Sequence, residues 1–218
     1  MSTITQLGGK VRAKAVGKTV DTTTLLLPTT VNADPRKCVV LRGPNGSGKT
    51  TLLRIIGGLL GPTTGTATIG GVEADERNPD VRAAVAALIG TPTTYRDLTL
   101  IDHLVLVDSS WGGDPNTADD RGLALMARLG IDHLDDRFPH ELSSGQEQLF
   151  RLALTFARPS TVLLLDEPEQ RLDTTKREVV TELIRDRAKD GATVVMACHD
   201  PGMTEALAHR VVDVKPAR

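Results

Sequence analysis

The stretch Gly43-Pro44-Asn45-Gly46-Ser47-Gly48-Lys49-Thr50 constrains this chain more than any other. An apolar run, Cys38-Val39-Val40-Leu41, leads into it, and a run with helical spacing, Thr51-Leu52-Leu53-Arg54-Ile55-Ile56, leads out. Strand, glycine-rich loop and helix in that order give the pattern G-x-x-x-x-G-K-[ST] its structural context. Glycines permit a tight loop whose backbone N–H groups converge, and the new helix adds its partial positive end, which together suit phosphate oxygens. On this reading Gly43 to Gly48 and Thr51 wrap the phosphates of a nucleotide. Lys49 neutralises the β- and γ-phosphates, and the Thr50 hydroxyl is a ligand for Mg2+. The plainer alternative is a glycine-rich turn before a helix, and the flanking elements favour the nucleotide.

The chain of 218 residues is long enough for a substantial core, and a formal charge of −2 gives no electrostatic reason to expect nucleic acid as a partner. No apolar stretch approaches the length of a membrane span, and the polar N-terminus lacks a signal-peptide core, so the cytoplasm is the expected compartment. Cys38 and Cys198 lie in apolar strand-like runs and are expected to be core thiols. Residues 1–37 hold short strand-like runs such as Thr24 to Leu27, and Asp34-Pro35-Arg36 reads as a turn. Gly57 and Gly58, then Pro62, end the first helix, and strands follow at Gly65–Ile69 and Ala84–Ile89, the latter closed by Gly90 and Pro92. From Leu98 to His140 the spacing turns helical, with Leu123, Met126 and Ala127 on one expected face. Residues 91–141 therefore read as an inserted helical subdomain. Further buried strands at Val162–Leu165 and Thr193–Cys198, alternating with helices over Arg151–Ala157 and Thr174–Lys189, predict an α/β fold with a mostly parallel sheet.

Three further signals bear on chemistry. Asp166-Glu167 closes a strand, where an aspartate holds Mg2+ beside the loop threonine and a glutamate orients or deprotonates water; the alternative is a pair of solvated acids. His199 ends another strand, where a histidine is commonly structural, and a γ-phosphate contact needs one ring nitrogen facing the nucleotide. Leu142-Ser143-Ser144-Gly145-Gln146 opens a helix. Ser143 with Gln146 has capping-box spacing, while Ser143 and the Gly145 N–H also form an anion site, and both can hold together.

In their order along the chain, Gly43–Thr50, Leu142–Gln146, Val162–Glu167 and His199 resemble the ATP-binding cassette (ABC) family of ATPases. The resemblance covers nearly the whole chain. It implies one domain over 1–218: a phosphate-loop NTPase core with a small N-terminal antiparallel β region (1–90), the helical subdomain (91–141), and the signature helix with the rest of the core (142–218). It also implies that two cassettes, identical or different, meet head to tail. Ser143, Gly145 and Gln146 of one then complete the site of the other, with Lys49, Glu167 and His199 as catalytic groups and Thr50 and Asp166 serving Mg2+. Leu172-Asp173 resembles the family's interface loop.

Four departures from the family are visible. The signature reads LSSGQ rather than LSGGQ. The loop glutamine expected near Mg2+ falls at Gly90, and no glutamine occurs between Gln6 and Gln146. Residues 1–94 hold no aromatic for adenine to stack on, which leaves Val16 or Val20 or a partner to carry it. Glu169-Gln170-Arg171 is more charged than usual. The leading expectation is the ATPase subunit of an ABC transporter, acting on a separate transmembrane permease and resembling exporters more than importers. A soluble clamp and a weakly hydrolysing regulatory cassette are the alternatives.

Overall fold

Apolar runs with no polar alternation fix the centre of the molecule. The computed structural model describes residues 7–91 and 94–217; Pro92, expected to close a strand, lies outside them. β1 (Val11–Val20) and β2 (Thr23–Ala33) form an antiparallel ladder, and β3 (Cys38–Arg42) leads through the glycine loop into α1 (Lys49–Ile56). Then come β4 (Thr64–Ile69), β5 (Val72–Glu73), α2 (Pro79–Ala84) and β6 (Val85–Leu88). Helices α3 (Leu100–Ser110), α4 (Ala118–Leu129) and α5 (Ser144–Ala157) precede β7 (Val162–Asp166), α6 (Thr174–Lys189), β8 (Thr193–Ala197), α7 (Pro201–Leu207) and β9 (Arg210–Asp213). The strands form two sheets: β2-β1-β4-β5, antiparallel, and β6-β7-β8-β3-β9, parallel at every pairing. The fold is α/β, as expected.

Side chains on a strand alternate between faces, so each buried strand of the parallel sheet feeds two cores. Leu163 and Leu165, with Cys38, Val40, Val194 and Met196, face the helices α3 to α6. Val162 and Leu164, with Val39, Leu41, Val195 and Ala197, face α1 and the antiparallel sheet. Both cysteines are core thiols, and burial pushes each pKa up to about 12. Among the described residues no helix is long and apolar enough to cross a membrane.

The N-terminal ladder is longer than the short runs its sequence suggests. Register shifts at Ala13/Val16 and Val16/Lys18, with Ala15 at φ 48°, break the alternation that would have marked it. The helix opened by the signature segment starts at Ser144, capped by Ser143 as its spacing suggests, and runs on through the stretch read as a helix at Arg151–Ala157. α2 carries a start signal, Asn78 capping before Pro79, that is legible in retrospect.

One helical face differs from its expected position. In α4 the buried positions are Ala118, Gly122, Met126 and Leu129, while Leu123 and Ala127 face solvent. The glycine is the point of contact: a Cβ on Gly122 would stand 2.7 Å from Ile101 Cδ1 and 3.4 Å from Leu104 Cβ. Hydrophobic spacing misses this face because its closest approach is made by a residue with no side chain. Gly122→Leu should lower stability by about 1–3 kcal/mol through overpacking, against the gain in helix propensity, whereas Leu123→Ala should cost less than about 0.5 kcal/mol as a surface change. Denaturant midpoints of the two variants measure the contrast, and a larger loss for Leu123→Ala would restore the original face.

Candidate functional site

The parallel ladder places the chemistry. Leu41 and Asp166 both pair with Ala197, so β3, β8 and β7 end level, and the loops that leave them share one edge. The glycine loop leaves β3 there. Gly48 has φ 96°, and a Cβ on it would lie 2.5 Å from Leu25 O, so a left-handed, close-packed turn delivers the chain into α1. Lys49 is only 5% exposed, and its Nζ donates to Gly43 O at 2.8 Å and to Pro44 O at 3.2 Å. No carboxylate pairs with it among the described residues. A buried ammonium held only by carbonyls has room for an anion. Ser47 Oγ is buried with no hydrogen-bond partner. Both observations fit a bound phosphate chain.

Thr50 Oγ1 donates to Asp166 Oδ2 at 2.7 Å, across 116 residues of sequence. Two hard oxygens side by side suit Mg2+, which takes few protein ligands and completes its shell with phosphate and water. Burial holds the Asp166 pKa above its ordinary 3.8, and neighbouring Glu167 adds to this, while the Thr50 hydroxyl and Lys49 oppose it. Glu167 follows at φ 51°, its N–H donating to Ala197 O at 2.9 Å, so the backbone turns sharply as it leaves the sheet. One carboxylate oxygen, Oε1, lies 3.3 Å from His199 Nε2, and the other accepts from Gln170 Nε2 at 2.7 Å. His199 is itself fixed through its N–H, which donates to Glu169 Oε1 at 2.6 Å. The charged stretch Glu169-Gln170-Arg171 thus holds the two catalytic candidates.

Asn45, Gly46, Gly48, Lys49, Thr50, Thr51 and Glu167 line a cleft of about 490 Å³. Thr23, Thr24 and Leu25 of β2 close its other side. Of the two valines expected near the base, Val16 is buried in the core, and Val20 is exposed and stands outside this lining. Sequence pattern missed Leu25 because it sits in an apolar run, where nothing marks the one leucine that faces out.

Ser143, Gly145 and Gln146 do not join this cleft. They line another, of about 280 Å³, with Arg171, Leu172 and Asp173. The capping box is present: Ser143 N–H donates to Gln146 Oε1 at 2.9 Å, and Gln146 N–H donates to Ser143 Oγ at 3.4 Å. Gly145 is packed so that a Cβ would be 3.0 Å from Arg171 O. Within one chain the signature segment and the phosphate loop are therefore two separate surfaces.

The profile that defines ABC transporters matches residues 26–170. The chain belongs to the ABC transporter family. Within that family it is an ATP-binding subunit and an ATPase. A putative ABC transporter ATP-binding protein of Methanopyrus kandleri is 39% identical over 83% of this chain and 68% of its own length. The hemin import ATP-binding protein of Nocardia farcinica is 36% identical over 83% of this chain and 64% of its own. A putative hemin import ATP-binding protein of Staphylococcus aureus is 29% identical over 94% and 95%. Among solved structures, a dimeric ATP-binding cassette in a post-hydrolysis state with ADP and Pi superposes with a TM-score of 0.84 at 25% identity, covering 94% of both chains. The directions named among these relatives are import, so the expectation of an exporter finds no support in them.

The pKa of Asp166 is raised in the folded chain. The folded chain holds that proton more tightly than the unfolded one, so the contribution to stability is full below 3.8 and is lost as pH rises through the raised value. Asp166→Asn removes the half-buried charge. It should raise the nucleotide-free melting temperature at neutral pH, with the gain shrinking as pH falls toward 3.8. A variant less stable than wild type at neutral pH would contradict the burial argument.

Proposed function

We propose that this chain binds ATP with Mg2+ in the cleft beneath the glycine loop and hydrolyses it as half of a cassette dimer, driving a separate transmembrane permease. The observation that carries the proposal is Lys49, a buried cation with no carboxylate partner among the described residues, set beside Thr50 and Asp166. Gly43 to Gly48 and Thr51 surround the phosphates, and Thr50 and Asp166 hold the metal. Bound there, the metal neutralises charge on the β- and γ-phosphates. Glu167 accepts the proton of the attacking water, and His199 donates to the γ-phosphate. His199 and Gln170 flank the two Glu167 oxygens and orient the carboxylate, which keeps lone pairs for the water.

Ser143, Gly145 and Gln146 act on the nucleotide of the other cassette, which is why they form a cleft of their own. Closure over two ATP molecules then couples binding to motion, because a ligand shifts a two-state equilibrium only by its differential affinity. The helical region 91–141 docks the permease, which places the chain at the cytoplasmic face of the membrane. The direction of transport and the cargo belong to that permease.

Glu167→Gln tests the scheme. The amide keeps the shape and removes the base, so turnover should fall by about two orders of magnitude or more while ATP binding persists. An ATP-dependent dimer should accumulate on gel filtration. A variant that stays monomeric at saturating ATP, with no second cassette restoring association, would exclude the dimer.

A further inference from the structure

At Gly90, where the family resemblance expects a glutamine, the structure offers a different group. Gly90 has φ 70°, and a Cβ there would meet nothing closer than Arg54 Nη2 at 3.7 Å, so no neighbouring backbone fills the place. Arg151 of α5 reaches it instead. Its Nη2 donates to Gly90 O, and its Nη1 donates to Gln148 Oε1 at 3.1 Å. Gln148 is anchored in turn, its Nε2 donating to Glu167 O and Pro168 O at 3.3 Å each. A chain of hydrogen bonds thus runs from Gly90 through Arg151 to the backbone of Glu167.

Arg151 also lines a polar cleft of about 310 Å³ together with Thr50, Thr91, Asp166, Glu167 and Gln170. This is the metal side of the nucleotide site, since it includes both Thr50 and Asp166. Arg171 also lines the cleft but stands 3.8 Å from Glu147. Arg151 forms no ion pair among the described residues, and its Nε is buried without a partner. A guanidinium carries five N–H donors. The two bonds above leave one N–H on each terminal nitrogen without a protein acceptor.

We propose that Arg151 contacts the terminal phosphate of the bound nucleotide and takes the place of the missing glutamine with opposite chemistry. The proposal rests on the nucleotide reading of the cleft. A carboxamide oxygen can ligate a cation, whereas a guanidinium only donates and repels one. The exchange replaces a group that senses the phosphate through its metal with one that senses the phosphate itself. Preference for ATP over ADP should therefore survive removal of Mg2+, where a site relying on a metal-ligating carboxamide loses it.

Equilibrium titration of the full chain with fluorescent ATP and ADP analogues, in Mg2+ and in EDTA, tests this. Wild type should bind ATP about tenfold or more tighter than ADP in EDTA, the size of one charge-assisted bond to phosphate. Arg151→Ala should lower that preference about tenfold, leaving what Lys49 and His199 supply, while ADP affinity stays within about twofold, which also reports that the variant is folded. Arg151→Lys should keep part of the preference through its charge, and Arg151→Gln should make ATP binding depend on Mg2+. Arg151→Ala retaining the full ATP preference in EDTA, or weakening both nucleotides equally as a mere strut would, overturns the proposal; so does a wild type that binds ATP and ADP alike without metal. A wild type that binds neither nucleotide overturns the reading of the cleft and the role of Arg151 with it, whereas loss of the Arg151 effect alone leaves that reading standing.

Discussion

The level ends of β3, β8 and β7 are the constraint on which the site depends. Leu41 and Asp166 pair with the same residue, Ala197, so the phosphate loop and the Asp166-Glu167 turn leave the sheet at one height. One strand separates them, a gap of about 10 Å at ordinary strand spacing. The first turn of α1 bridges that gap, which is how Thr50 reaches Asp166 across 116 residues. Any slip of register between β7 and β8 would move Asp166 away from Thr50 and turn its neighbours from one core to the other. The parallel ladder from Val162 opposite Thr193 to Asp166 opposite Ala197 holds that register. The same apolar pattern that forms the fold therefore sets the catalytic geometry.

Binding groups and reacting groups are distributed differently over this frame. The loop, Lys49, Thr50 and Asp166 sit at the ends of strands and on the first turn of a helix, where the backbone is fixed. Glu167, His199 and Gln170 sit just beyond and are tied to one another. The signature segment lies on another surface, its helix start already capped by its own side chains. Such a division suits a chain that captures ATP alone and completes its chemistry only when a second surface arrives. The charged run Glu169-Gln170-Arg171, a departure from the family, links the two regions: Glu169 and Gln170 fix the reacting side chains, and Arg171 lines the signature cleft.

Much of this was legible in the sequence because its signals are local. The phosphate loop announces itself by glycine spacing between a strand and a helix, and the buried strands by unbroken apolar runs. Ser143 and Gln146 announce a helix start by capping-box spacing alone. What the sequence hid depends on three-dimensional neighbours. The buried face of α4 centres on Gly122, which carries no hydrophobic mark. The wall of the cleft opposite the loop includes Leu25, indistinguishable in its run from Leu26, which is buried. Arg151 lies far from Gly90 in sequence, and only the packing of α5 against the end of β6 brings them together. The missing glutamine could be noticed from the sequence, but not the arginine beside its place.

The central claim is that one chain holds half a site and a second chain the other half. Mixing two inactive variants tests it most directly. Lys49→Ala removes the phosphate-loop cation, and Ser143→Arg blocks the signature surface, so neither protein should hydrolyse ATP alone. In a mixed dimer, the intact phosphate loop of the Ser143→Arg chain faces the intact signature segment of the Lys49→Ala chain. ATPase activity should then reappear on mixing and rise with the fraction of mixed dimers. Two folded variants that remain inactive in every proportion, or a Ser143→Arg protein that hydrolyses ATP at the wild-type rate, would contradict a site shared between two chains.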